Sequence, residues 1–299
     1  MSESLAGVYA AVLTPRDAHG EIDEAAFAGL LQFLQQKGVA GVAINGATGE
    51  FPRTTAPEFS RLMSIAASTL TGGTRILAGI GAPSTDTSIR LATIAAQAGA
   101  AAALLPMPAF FPYSQDDLKS FCLAVAQPAA LPILLYNLPQ FTTGLAPQTS
   151  AELIHAGNAI IGIKDSSGSL DTLRLLTSAA KPARRFIGND EVLPQALRER
   201  ILDGVVSGVA CVLPELILRL YTLGASDPTS ADFNQAASIL ADAIVQLRKL
   251  PTPWALKMLA EARGLAPATF PMPLSPQRQT ERTALLSWFQ ANRARLLAE

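Results

Sequence analysis

Histidine and cysteine are scarce in this chain of 299 residues, with two of each: His19, His155, Cys122 and Cys211. The cysteines lie far apart without CxxC spacing, which argues against a disulfide framework or a zinc site and leaves them as core residues. Nothing like HExxH surrounds either histidine, so neither a metal centre nor a Ser-His-Asp triad is expected. An excess of charge of one sign is also missing. Lys plus Arg total 23 against 24 for Asp plus Glu, a net charge of -1 with no block of either sign. That balance carries no electrostatic footprint for nucleic acid or an anionic membrane. The opening MSESLAG lacks a basic region followed by an apolar one, so no secretory signal is read and a cytoplasmic location is expected. One stretch, Leu91 to Phe111, approaches a membrane span in length, but Gln97, Pro106 and Pro108 divide it into a helix end and a short strand. Small molecules and further copies of the chain are the expected partners.

What is present is apolar. Hydrophobic residues make up 49% of the chain and charged residues 16%, enough to bury a sizeable core. Short apolar runs ending in Gly, Pro, Asn or Asp alternate with segments of helical period. The spacing predicts strands over Gly7–Thr14, Val39–Asn45, Arg75–Ile80, Ala102–Pro106, Pro132–Asn137, Ile160–Lys164, Arg185–Gly188 and Gly204–Ser207. Between the first two, Phe27, Leu30, Leu31 and Leu34 share one helical face, with Asp23 as N-cap and Gly38 as C-cap. Eight strand-helix pairs within about 225 residues match a TIM (β/α)8 barrel, although periodicity alone leaves a doubly wound open sheet possible. Runs such as AALLP and PILLY indicate a parallel sheet buried on both faces. Residues 1–225 are therefore read as the barrel and 226–299 as a C-terminal helical domain. That domain has helices over Ala231–Lys249, Trp254–Arg263 and Gln277–Leu297, the last carrying Leu285, Phe289, Asn292 and Leu296 on one face.

In such a barrel, chemistry belongs at the C-terminal ends of the strands. The sixth strand ends in Gly162-Ile163-Lys164-Asp165. A lysine continuing a buried apolar strand either pairs with an acid, snorkels, or serves as the neutral amine that Schiff-base chemistry needs. The fifth ends in Tyr136-Asn137-Leu138-Pro139, where Tyr136 is either an edge tyrosine with a satisfied hydroxyl or a proton shuttle beside Lys164. After the second strand, Gly46-Ala47-Thr48-Gly49-Glu50 is either a plain connection or a turn whose N–H groups and Thr48 hydroxyl hold a carboxylate. It lacks the GKS/T ending of a P-loop, and Gly79-Ile80-Gly81 has Ser84 where a dinucleotide fingerprint needs its third glycine.

A turn for an anion, a phenol and a strand-end lysine together suit a 2-oxo acid. With GATGEF at Gly46–Phe51, YNLP at Tyr136–Pro139, GIKDSSG at Gly162–Gly168 and GVVSG at Gly204–Gly208, the chain resembles the dihydrodipicolinate synthase and N-acetylneuraminate lyase family of pyruvate-dependent class I aldolases. The motifs occur in family order, and the similarity runs from about Gly7 through the C-terminal helices. The resemblance implies that Lys164 forms the Schiff base and Tyr136 moves protons. It further implies that Thr48 and the backbone at Ala47 bind the 2-oxo acid carboxylate, and that the Val206 carbonyl faces bound pyruvate. A homotetramer, a C-terminal helical domain and freedom from metal or organic cofactor are implied as well.

The same resemblance exposes departures. The synthase branch relays protons through a threonine where this chain has Ala47, and through a neighbouring subunit's aromatic hydroxyl where it has Phe110 or Phe111. That branch also holds its second substrate with an arginine shortly after YNxP, where Gln140, Phe141 and Thr142 stand. Tyr113 and Arg53 are the candidate substitutes. The expectation is an aldolase releasing pyruvate and an aldehyde from a 2-keto-3-deoxy sugar acid. The alternatives are dihydrodipicolinate synthase activity, a deoxy-keto acid dehydratase, or a non-catalytic keto acid binding protein. Product analysis separates these: pyruvate plus aldehyde, a cyclic condensation product, an intact chain minus water, or no turnover.

Overall fold

A computed structural model describes residues 5–156, 159–179 and 181–298; the first four residues of MSESLAG lie outside them. Eight parallel strands close into a barrel in sequence order, β1-β2-β3-β4-β5-β6-β7-β8, with β8 pairing back to β1. They are β1 (Gly7–Ala11), β2 (Gly41–Ile44), β3 (Arg75–Gly79), β4 (Ala102–Pro106), β5 (Ile133–Asn137), β6 (Ile160–Asp165), β7 (Arg184–Ile187) and β8 (Gly204–Ser207). The fold is a TIM barrel, which excludes the open-sheet alternative. The first strand is shorter than its apolar run. Val12 still donates to the Ala43 carbonyl at 3.0 Å, but Thr14 has left the sheet and its hydroxyl donates to the Gly49 carbonyl.

Each strand leads into a helix: α1 (Glu24–Gln36), α2 (Ala56–Thr69), α3 (Thr85–Gln97), α4 (Gln115–Ala126), α5 (Pro147–His155), α6 (Asp171–Thr177), α7 (Leu193–Glu199) and α8 (Pro214–Ser226). The first shows why local sequence suffices here. Asp23 accepts from the Ala26 N–H at 2.9 Å, the four predicted apolar residues are all buried, and Gly38 takes the left-handed φ of +81° just beyond the last turn. The alanine-rich stretch from Leu91 splits as expected into the end of α3 and β4. Among the described residues no helix is long and apolar enough to cross a membrane.

The strands are apolar throughout because both faces are covered. Tyr9, Leu77, Leu104, Leu134 and Phe186 fill the barrel interior. The alternate residues, Val8, Ala10, Val42, Ala78 and Ile133 among them, pack against the helices. Cys122 and Cys211 are buried, and desolvation pushes both thiols up to about 12, so they behave as small apolar side chains. Beyond α8 come α9 (Ala231–Leu247), α10 (Trp254–Ala262) and α11 (Pro276–Leu296). They share one apolar core with the barrel's outer helices through Phe233, Leu240, Met258, Leu259 and Phe289. On α11, Leu285, Phe289 and Leu296 are buried, while Asn292 at the edge of that face donates to the Trp288 carbonyl at 2.7 Å.

Candidate active site

Lys164 and Tyr136 are brought together by an irregularity between β5 and β6. Ile133 pairs with Ile160, but Leu134 pairs with Gly162, so Ile161 is an extra residue on β6. Downstream of it Tyr136 stands opposite Lys164; without it, Ile163 would take that place. Both side chains point into the barrel, each 3% exposed, and the Lys164 ammonium lies 3.8 Å from the Tyr136 ring centroid. Among the described residues no carboxylate comes within 4.0 Å of Lys164 Nζ, so the ion pair that would make the lysine purely structural is not formed there. Nor does any described group hydrogen-bond the Tyr136 hydroxyl.

These two residues line a cavity of about 270 Å³ at the C-terminal ends of the strands. Ala47 and Thr48 enter it from the turn after β2, and Val206 from the end of β8. All five residues singled out from sequence therefore meet in one place. The turn is built around two non-glycine residues in the left-handed region, Asn45 at φ 59° and Glu50 at φ 56°. It is held by Asn45 Nδ2 donating to the Gly79 carbonyl at 2.9 Å and Thr14 Oγ1 donating to the Gly49 carbonyl at 3.0 Å. Such a turn leaves N–H donors and the Thr48 hydroxyl available to an anion.

Within one chain, neither Arg53 nor Tyr113 lines the cavity. Arg53 donates to Glu50 Oε2 at 3.2 Å on the outer side of the turn, and the Tyr113 backbone N–H donates to Thr143 Oγ1 at 3.2 Å. Phe110 is 92% exposed and packs edge-on against the exposed Phe111. Phe141 lies at the cavity's rim. A further cation at the rim, Arg248 at the end of α9, is paired with Glu191.

Several lining residues are not singled out from sequence: Ser166, Gly188, Asn189 and Asp190; Gln140, noted only as a departure from the synthase pattern, lines the cavity too. The signal was the strand-end rule applied to β7, whose Gly188-Asn189-Asp190 sequel was passed over. Gly188 has a steric role. A Cβ there would overlap Ser166 Oγ and stand 2.7 Å from Lys164 Cε. Gly188→Ala is expected to fold, since both obstructing atoms belong to movable side chains, yet to displace the amine and lower turnover by about 100-fold. Turnover within threefold of wild type would show that the lysine tolerates the crowding.

Burial pushes the Asp190 carboxyl up to about 6, against hydrogen bonds from Ser207 and the Val209 N–H and the nearby charge of Lys164. An acid whose folded pKa is raised contributes stability below its unfolded value near ~3.9 and loses that contribution as pH rises through the folded value. Stability attributable to Asp190 therefore falls between about pH 4 and pH 6. Asp190→Asn should remove this segment of the fall in urea unfolding. Parallel wild-type and variant curves across that range would dismiss Asp190 as its source.

The chain matches the model of the dihydrodipicolinate synthetase family over residues 4–292. It belongs to that family. Within the family it is 35% identical over 222 residues to a 4-hydroxy-tetrahydrodipicolinate synthase of Xylella fastidiosa, covering 74% of this chain and 73% of the relative. It is 30% identical over 287 residues to that of Thermomicrobium roseum, covering 95% and 93%. Among solved structures, the synthase of Methylacidiphilum fumariolicum SolV superposes with a TM-score of 0.89 at 28% identity over 98% of both chains. A prophage protein of the same family from E. coli K12, in complex with pyruvate, superposes with a TM-score of 0.89 at 25% identity over 97% of this chain and 99% of that one. The dihydrodipicolinate synthetase family comprises pyruvate-dependent class I aldolases and their relatives, and the TIM barrel with C-terminal helices is their shared architecture.

Proposed function

We propose that the protein is a lysine Schiff-base aldolase that cleaves a 2-keto-3-deoxy sugar acid, or a related hydroxylated 2-oxo acid, to pyruvate and an aldehyde. The observation that carries the reading is the buried Lys164 amine beside the Tyr136 ring in a cavity also lined by Asn189 and Asp190. The substrate carboxylate would sit on the turn at Ala47 and Thr48, with the Val206 carbonyl facing the bound pyruvate unit. The Lys164 amine adds to the C2 carbonyl, and loss of water leaves a protonated imine. Tyr136 accepts the proton of the C4 hydroxyl. The C3–C4 bond breaks, its electron pair flows to the imine nitrogen, and an aldehyde departs from an enamine. Protonation at C3 and addition of water then release pyruvate and restore the amine. The imine, as electron sink, accounts for most of the lowering of the barrier. Gln140, Asn189 and Asp190 supply donors and acceptors for the hydroxyls of the tail.

A second reading has its own support. The synthases of Xylella and Thermomicrobium are named for condensing chemistry, and the same imine would serve it. The side chains weigh against this reading here. Ala47, Phe110, Phe111 and Phe141 offer neither a hydroxyl for a proton relay nor a cation for a second carboxylate. Phe141, 59% exposed at the rim, gives that carboxylate neither a charge nor a hydrogen bond. Pyruvate release from a panel of 2-keto-3-deoxy acids, measured beside condensation of pyruvate with aspartate semialdehyde, tests the choice. Cleavage of at least one acid should exceed condensation by more than about tenfold, ~1.4 kcal/mol in barrier. Condensation as fast as the best cleavage would select the synthase reading.

A further inference from the structure

The C-terminal helices reach the anion-binding turn through one buried ion pair. Lys257 of α10 is 3% exposed, and its ammonium donates to Glu50 Oε2, the last residue of Gly46–Glu50, 207 positions earlier in the chain. The lysine is itself fixed, donating to the Thr269 carbonyl at 2.9 Å, while Thr269 Oγ1 donates to the Arg16 carbonyl at 3.0 Å. Burial pulls the lysine's pKa down, and the Glu50 carboxylate opposes that shift. Glu50 occupies a left-handed backbone conformation, φ 56° and ψ 47°, that side-chain-bearing residues resist unless their surroundings hold them. Its Oε2 also accepts from the partly exposed Arg53 at 3.2 Å.

The same helix also backs Gly208, the residue beside Thr48. Leu256, next to Lys257, lines the cavity, and Gly208 lies between it and Thr48. A Cβ on Gly208 would stand 3.3 Å from Thr48 Oγ1 and 3.4 Å from Leu256 Cδ1. Thr48 thus sits between a backbone strained at Glu50 and a wall backed by α10.

We infer that Lys257 is a positioning residue for the substrate carboxylate: through Glu50 it holds Ala47, Thr48 and Gly49 in the arrangement that receives the anion. Affinity for the 2-oxo acid is thereby set from outside the barrel. The inference rests on the Schiff-base reading above. A residue acting in this way affects occupancy of the site and leaves the reactivity of the bound amine largely alone.

The test is borohydride trapping of Lys164 as a function of pyruvate concentration in the full-length protein, with thermal unfolding alongside. Three variants are compared: Lys257→Met, Glu50→Asp, which keeps the charge and shortens the reach, and the double variant Glu50→Gln/Lys257→Met, which buries no unpaired charge. Arg185→Met serves as the control. It breaks the half-buried Arg185–Asp203 pair between β7 and the start of β8, remote from the turn. Half-saturating pyruvate should rise about tenfold or more in all three variants, the maximal trapping rate should stay within about threefold, and the control should keep wild-type pyruvate dependence. Folded variants with wild-type pyruvate dependence would overturn the inference. A control showing the same rise would overturn it too, as would loss of the fold in all three, since each assigns the pair to stability alone. Failure of the wild type to be trapped would instead defeat the Schiff-base reading.

Discussion

Incubated with pyruvate and borohydride, the protein should gain one reduced pyruvyl group, on Lys164 and on no other lysine, and Lys164→Met should abolish both labelling and turnover. The expected loss is about ten-thousand-fold or more, ~5 kcal/mol of barrier, because the imine has no other route to form. Geometry makes the prediction selective. Lys257, the other buried lysine, is held by Glu50 and the Thr269 carbonyl, whereas Lys164 faces the cavity with its ammonium against the Tyr136 ring. Intact mass followed by peptide mapping decides the matter. A wild-type protein without an adduct, or with one elsewhere, defeats the aldolase reading, and a Lys164→Met variant that still turns over would remove the lysine from the chemistry.

Tyr136→Phe is expected to keep pyruvate trapping and slow turnover by at least about 100-fold, the low end for a lost general acid-base group. The structure separates this from a packing effect. The ring of the variant would still lie over Lys164, and among the described residues the hydroxyl makes no hydrogen bond whose loss would destabilise the fold. Thermal unfolding should therefore change little while turnover falls. The reverse pattern, a less stable protein with nearly normal turnover, would exclude Tyr136 as the proton carrier.

Much of the molecule was legible because its signals are local. The helix at Glu24–Gln36 needed only an N-cap at Asp23 and four apolar residues at helical spacing. The strands Ala102–Pro106 and Gly204–Ser207 needed only short apolar runs between turns, and end where the sequence predicts. Gly7–Thr14 was read too long, because an apolar run records burial and not sheet pairing: Val12 and Leu13 are buried although the strand stops at Ala11. Arg53 and Tyr113, the candidate substitutes, do not line the cavity of their own chain; Arg53 is held by Glu50, and a hydroxyl delivered by a neighbouring subunit depends on assembly, which local sequence does not specify.

The sequence by itself determined the alternation of strands and helices, the burial of both sheet faces and the placing of Lys164, Tyr136, Thr48 and Val206 at strand ends or the turns that follow, because each follows from residue type and spacing within a dozen positions. Only the tertiary structure decided which of these meet. The extra residue at Ile161 sets Tyr136 opposite Lys164, closure of β8 on β1 brings Val206 round to the same cavity, and α10 carries Lys257 to Glu50 across 207 positions. Such contacts depend on strand register and on the return path of the chain, and a local pattern of apolar and polar residues is the same for either register until packing selects one.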